Sequence, residues 1–132
     1  MKILLYNTQR AIFQKLSKNV DVPIFDYYPD ADEETFPFII IEDIEKQDND
    51  AWSTRDGKTF DVSVTLNVWG AMKDRKRINE ILRVIEESLQ CDLTVDALFL
   101  EYEKTDFARL TRTQENFNNG EIKISYRTEE QK

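Results

Sequence analysis

Residues 59–70, TFDVSVTLNVWG, alternate without interruption. Phe60, Val62, Val64, Leu66 and Val68 share one parity, and Asp61, Ser63, Thr65, Asn67 and Trp69 share the other. Successive strand side chains point to opposite faces, so this period of two defines a strand with one dry and one wet side. Something apolar must cover the dry side. Residues 73–90 supply it, because Ile78, Ile81, Leu82, Ile85 and Leu89 recur at helical spacing with polar residues between them. A one-sided strand and a one-sided helix bury each other, which is the two-layer α+β solution.

The remaining segments fit that plan. Residues 2–18 read as a first amphipathic helix, with Leu5, Ile12 and Leu16 on one stripe and Tyr6 and Phe13 beside it. Pro23 and Pro29 bracket a β-branched and aromatic run that holds only a short edge strand. Residues 38–45 form a strand whose first part, Phe38, Ile39, Ile40 and Ile41, is apolar on both parities and so predicts burial on both faces. Residues 47–57, QDNDAWSTRDG, are a polar connection between antiparallel strands, longer than a tight hairpin needs and expected to be mobile in the free subunit. Residues 91–114 read as one long bent strand, or as two parted by a bulge near 104–106. Asn119-Gly120 has the composition of a type I′ turn, after which Ile122, Ile124 and Tyr126 alternate with polar residues, and the last five residues are expected to fray. The predicted domain spans residues 1–132, a mostly antiparallel sheet with two helices packed on one face.

Composition excludes several function classes. A net charge of −8 disfavours binding to nucleic-acid phosphates, which requires a basic surface. Zero histidines remove the commonest general base and metal ligand. Cys91 is the single cysteine, so no internal disulfide forms and nothing indicates an oxidising compartment. The apolar start, residues 1–13, is interrupted by Asn7, Gln9 and Arg10 before it reaches the length of a signal core, and no segment approaches the roughly 20 apolar residues of a membrane span. The acids Asp30, Asp32, Glu33 and Glu34 read as a solvated loop rather than a catalytic pair. Asp48, Asp50 and Asp56 sit in a stretch that superficially resembles a calcium loop, without the central glycine and terminal glutamate of an EF-hand. The expectation is a protein without catalytic residues, metal or cofactor.

Two features exceed a plain soluble domain. KDRKR, residues 73–77, sets Lys73, Arg75, Lys76 and Arg77 at a helix start, where the macrodipole prefers anions. A solvated basic tip is one explanation and an ion-pairing surface the other. Trp52 in a polar loop and Trp69 on the wet parity are large apolar groups at positions where contact with another subunit would account for both. For Trp69 the competing explanation is a chain that bends back into its own core. Asp50 and Arg55 flank Trp52 and complete a candidate interface of Asp50, Trp52, Arg55, Trp69, Lys73, Arg75, Lys76 and Arg77.

PIFDYYP, FPFIIIEDIE, DNDAWSTRDG running into FDVSVTLNVWG, the RKRINEILRVIEESL helix and the C-terminal strand pair together resemble the tail completion, or tail-to-head joining, proteins of long-tailed bacteriophages and prophages. The resemblance covers nearly the whole chain and rests on aromatic-proline landmarks and patterning. It implies an α+β fold similar to phage tail terminators, and a hexameric ring at the top of the tail in the assembled virion, with a monomer in solution compatible with it. It further implies head completion and tail tube proteins as partners, a location at the head-tail junction of the virion after synthesis in the host cytoplasm, and no membrane. DNA would pass through the ring without being specifically bound. The alternatives are a tail terminator, neck or tail-tube component, or a non-viral α+β binding module or small enzyme on the same scaffold.

Overall fold

The computed structural model describes residues 4–29, 36–49, 51, 57–95 and 98–131. The chain runs α1 (Leu4–Ser17), β1 (Ile24–Phe25), β2 (Phe38–Asp48), β3 (Gly57–Ala71), a 3-10 turn (Met72–Asp74), α2 (Arg75–Leu89), β4 (Leu93–Val95), β5 (Leu98–Arg112) and β6 (Phe117–Gln131). The strands form one sheet in the order β1-β2-β3-β6-β5-β4. Every pairing is antiparallel except that of β1 with β2. Both helices share one core with the dry face of this curled sheet, so the α+β architecture is as the patterning predicts.

The dry parity of β3 behaves as expected: Val62, Val64, Leu66 and Val68 are fully buried. They meet Ile78, Ile85 and Leu89 of α2, Ile12 and Leu16 of α1, and Ile122, Ile124 and Tyr126 of β6. Phe60 is buried too, under the ammonium group of Lys46 at 3.9 Å from the ring centroid. Phe38, Ile39, Ile40 and Ile41 are buried on both parities, because α1 covers one side and aromatic side chains the other.

Two glycines set the depth of α2. Gly70 on β3 and Gly120 on β6 lie under its first turns, and a Cβ on either would meet Ile78 side-chain atoms at 2.8 and 2.7 Å. Neither glycine has positive φ, so what requires glycine here is the close approach of the helix and not the backbone conformation.

Four sequence expectations fail. Asn119-Gly120 is not a turn: both residues lie inside β6, paired with Trp69 and Val68. The β5–β6 connection is instead at residues 113–116, where Asn116 takes φ 64° and the Thr113 N–H donates to the Phe117 carbonyl at 2.8 Å. Asparagine tolerates the left-handed region better than most residues with a Cβ, so the turn forms at Asn116 without a glycine. Residues 128–131 are not a frayed tail but pair with residues 57–60 of β3, and Lys132 lies outside the described residues. The strand read over 59–70 is longer at both ends, running from Gly57 to Ala71. In α1 the buried stripe is Thr8, Ile12 and Leu16, while Leu5, Tyr6 and Phe13 are exposed.

The β5 bulge is present and doubled. Register shifts occur between Tyr102 and Lys104 and between Thr105 and Phe107, with a third on β2 between Ile41 and Asp43. The β3–β6 ladder has none along its fifteen pairs.

Two stability predictions follow from this packing. Gly120→Ala inserts a methyl group against Ile78 and Leu82 and is expected to lower stability by roughly 1–3 kcal/mol in urea unfolding. An unchanged midpoint would mean that α2 is free to lift. The buried Tyr126 hydroxyl donates to the Leu89 carbonyl at 2.6 Å, and burial pushes this phenol above its ordinary value of 10.0. The folded state therefore holds this proton more tightly than the unfolded state, so its contribution is complete below about pH 10 and is lost as pH rises further. Tyr126→Phe should cost about 1 kcal/mol at neutral pH and make the alkaline fall in melting temperature shallower than in the wild type.

Candidate functional site

The surface available to a partner is built from the wet face of the sheet, its two ends and the tip of α2. On the wet face, Asp61, Ser63, Thr65, Asn67 and Trp69 of β3 align with Arg127, Ser125, Lys123, Glu121 and Asn119 of β6. The lower half of this face is a shallow groove of about 320 Å³ lined by Glu45, Asp61, Glu103, Asp106, Lys104 and Lys123, among others. That is four carboxylates against two ammonium groups, a balance that repels a polyanion.

Bulges decide where Glu103 and Asp106 of this groove, and Glu42 nearby, point. Each register shift falls at an acidic residue, and each carboxylate turns back onto a neighbour. Glu42 accepts from the Tyr28 hydroxyl at 2.7 Å, Glu103 pairs with Arg127 at 2.9 Å, and Asp106 accepts from the Ser125 hydroxyl at 2.8 Å. Arg109 and Glu121 add a cross-strand pair at 3.0 Å. These groups are held by the chain's own partners, and among the described residues no cluster of three potential metal ligands forms.

The upper half is aromatic. Trp69 lies half-buried on the open face, covered by Tyr28 with ring centroids 6.4 Å apart. Its cover thus comes from the segment after β1, and Trp69 does not bend into the core beneath the helices. Burial, then the hydrogen bond to Glu42, pushes the Tyr28 hydroxyl up to about 12, with Trp69 acting weakly the other way. Beside them Phe36 stacks on Phe38 at 5.4 Å and touches Phe117 at 5.3 Å.

The four cations of residues 73–77 divide into two pairs of different character. Arg75 donates to the Oδ1 of Asn118 at 3.1 Å, and the Nδ2 of this fully buried asparagine donates to the carbonyls of Ala71 and Met72. Arg75 is therefore part of the clasp joining the end of β3 to the start of β6. Arg77 pairs with Asp21 at 2.8 Å, tying α2 to the loop after α1. Lys73 and Lys76 are exposed. Asp74 supplies the acid that the helix start otherwise lacks, accepting from the Ala71 N–H at 2.8 Å. Asp50, Trp52 and Arg55 lie outside the described residues, as does most of the loop that holds them.

One surface escaped the patterning. Tyr6 and Phe13 of α1, Ile24 and Phe25 of β1, and the adjoining Tyr27 and Ile41 line a groove of about 500 Å³ at the β1 end of the sheet. Tyr6 and Tyr27 are 59% and 61% exposed, although aromatic residues are usually buried. The signal was present in α1, whose apolar residues outnumber what one stripe can bury.

No family profile matches the chain. No curated protein matches it either. Among solved structures, a chain of the virion of a native gene transfer agent particle has the same fold, with a TM-score of 0.75 over 92% of this chain and 94% of that one, at 14% sequence identity.

The clasp gives a prediction that separates the cations. Arg75→Ala leaves the Asn118 carbonyl oxygen short of a partner and is expected to cost about 0.5–1.5 kcal/mol. Lys76→Ala should stay within about 0.5 kcal/mol of wild type. Equal melting temperatures for both variants would place Arg75 in solvent.

Proposed function

We propose that this chain is a structural subunit of a phage-like particle, acting in a ring that joins the completed tail to the head connector. The observation that carries the reading is the two-way coverage of the virion chain: 92% of one and 94% of the other align, so the whole domain corresponds and not a shared motif. The tail-completion resemblance of the sequence landmarks supplies the finer position. The wet face supports it physically, because an acidic, internally paired surface lets DNA slide by without being held.

In this reading the protein performs no covalent chemistry and uses no cofactor. Its partners are further copies of itself, the head completion protein and the tail tube. Many weak contacts acting together make the joint stable once geometry permits simultaneous engagement. A tail terminator or tube position is the second reading, which the same fold match accommodates equally well.

Removal of the gene from the phage or prophage that carries it, followed by electron microscopy, distinguishes these readings. Full heads beside complete, unattached tails are expected. Tails of uncontrolled length would transfer the assignment to a terminator, and intact particles would end both. Lys73→Glu combined with Lys76→Glu is expected to reduce joined particles while changing subunit stability by under about 0.5 kcal/mol, because both ammonium groups are exposed. Normal joining by this variant would remove the helix tip from the interface.

A further inference from the structure

The sheet has two incomplete ends. β1 pairs with β2 only at Ile39 and Ile40, so among the described residues the outer side of β2 carries no strand over 41–48. β4 pairs with β5 only at Leu98, Phe99 and Leu100, so among the described residues the outer side of β5 carries no strand over 101–112. Each open stretch contains a regular run beyond its last bulge, residues 43–48 on β2 and 107–112 on β5. A strand side that carries no neighbouring strand is a template for another strand.

We infer that these two runs pair with each other between successive copies of the chain, β2 of one against β5 of the next, so that the sheets join into one continuous wall. The inference rests on the ring reading and gives it an interface.

Charge selects this pairing over its alternatives. Residues 43–48, DIEKQD, carry three carboxylates and one ammonium group, a net of −2; residues 107–112, FARLTR, carry two arginines and no acid, a net of +2, of which Arg109 is shared with Glu121 of β6. A two-fold contact would set β2 against β2 or β5 against β5, placing like charges opposite each other. The opposite-charge contact uses different surfaces on the two partners, and contacts of that kind generate a ring where the rotation between copies closes. Strand direction agrees as well. β2, β3, β6 and β5 alternate in direction, so rotation about an axis near the strand direction brings β5 of one copy antiparallel to β2 of the next.

Side-chain parity fixes the register. Glu45 shares the wet face with Ser63, and Arg109 shares it with Glu121; Ile44 lies opposite Val64 on the helix face, as Leu110 lies opposite Gly120. Faces must match across a new antiparallel ladder. The register that sets Glu45 opposite Arg109 also sets Ile44 opposite Leu110. Ile44 and Leu110 are both only partly buried in the single chain and pack at the rim of its core, so the added strand covers them. Glu45 lies level with Ser63 and Arg109 with Asn67, a stagger of four positions along β3. At 3.3–3.4 Å per residue this is roughly 13 Å per subunit. Strands inclined to the ring axis absorb such a stagger, as they do in closed barrels.

The test is cysteine crosslinking of the full chain in a Cys91→Ser background, with light scattering of the wild type at millimolar concentration. Glu45→Cys plus Arg109→Cys should give, on oxidation, a ladder of covalent multimers extending past the dimer, and each single variant alone should give none. Covalent dimers from a single variant would overturn the inference in favour of two-fold pairing. A wild-type oligomer with no ladder from the double variant would overturn it while leaving the ring intact. A wild type that stays monomeric, with no ladder from the double variant, would overturn this interface, while the ring reading is decided by the electron microscopy of particles lacking the gene.

Discussion

The close approach of α2 to the β3–β6 pair is the contact on which the rest of the molecule depends. Ile78 can lie over both strands only because Gly70 and Gly120 offer no Cβ beneath it, and from that point the helix runs down the sheet with Ile85 and Leu89 buried in turn. The Tyr126 hydroxyl closes the far end by taking the Leu89 carbonyl, one of the orphan acceptors of a helix terminus. The Asn118 clasp closes the near end. With α2 fixed at both ends, α1 packs beside it, and the sheet curls around the pair.

Much of this was legible because burial imposes periodicity. Val62 through Val68 and Ile78 through Leu89 could be read directly, since each position has one dry neighbour and one only. Local turn chemistry was less reliable. Asn119-Gly120 has the composition of a hairpin turn, yet Gly120 is needed beneath Ile78 and Asn119 donates to Asn67 across β3, so tertiary packing overrode the local preference. The C-terminal residues read as a polar tail because pairing on an outer stretch of sheet needs no apolar pattern. In KDRKR, residue type was legible but partnership was not: Arg75 and Lys76 are adjacent in sequence, yet one grips a buried asparagine 43 residues away and the other faces solvent. The open ends of the sheet were invisible in the sequence, because an unpaired strand edge is a property of topology.

Trp69 illustrates why a wet-face tryptophan need not mark a free surface. The strand turns it away from the helix core, but the segment after β1 returns across the sheet and lays Tyr28 on it, itself held by Glu42 from a bulge. The bulges act as positioning devices here. An extra residue re-aims a carboxylate that an ordinary strand would send into solvent, and a cross-strand partner holds it there. A face rich in charge is thereby made largely self-sufficient.

In the proposed ring, that self-sufficiency bears on how a subunit would avoid assembling with the wrong partner. Charged side chains and bulges are common protections of sheet edges, and both open stretches carry them. Such protection is selective rather than absolute, since an acidic edge still admits a basic one. The irregularities are confined to β2 and β5, the strands with open outer sides, while the fifteen-pair β3–β6 ladder between them runs without a break. The two duties are therefore divided within one sheet. Its centre, fused to α2, carries the stability of the single chain, and its margins can gain or lose a neighbouring strand without disturbing the packing of Ile78 on its glycines.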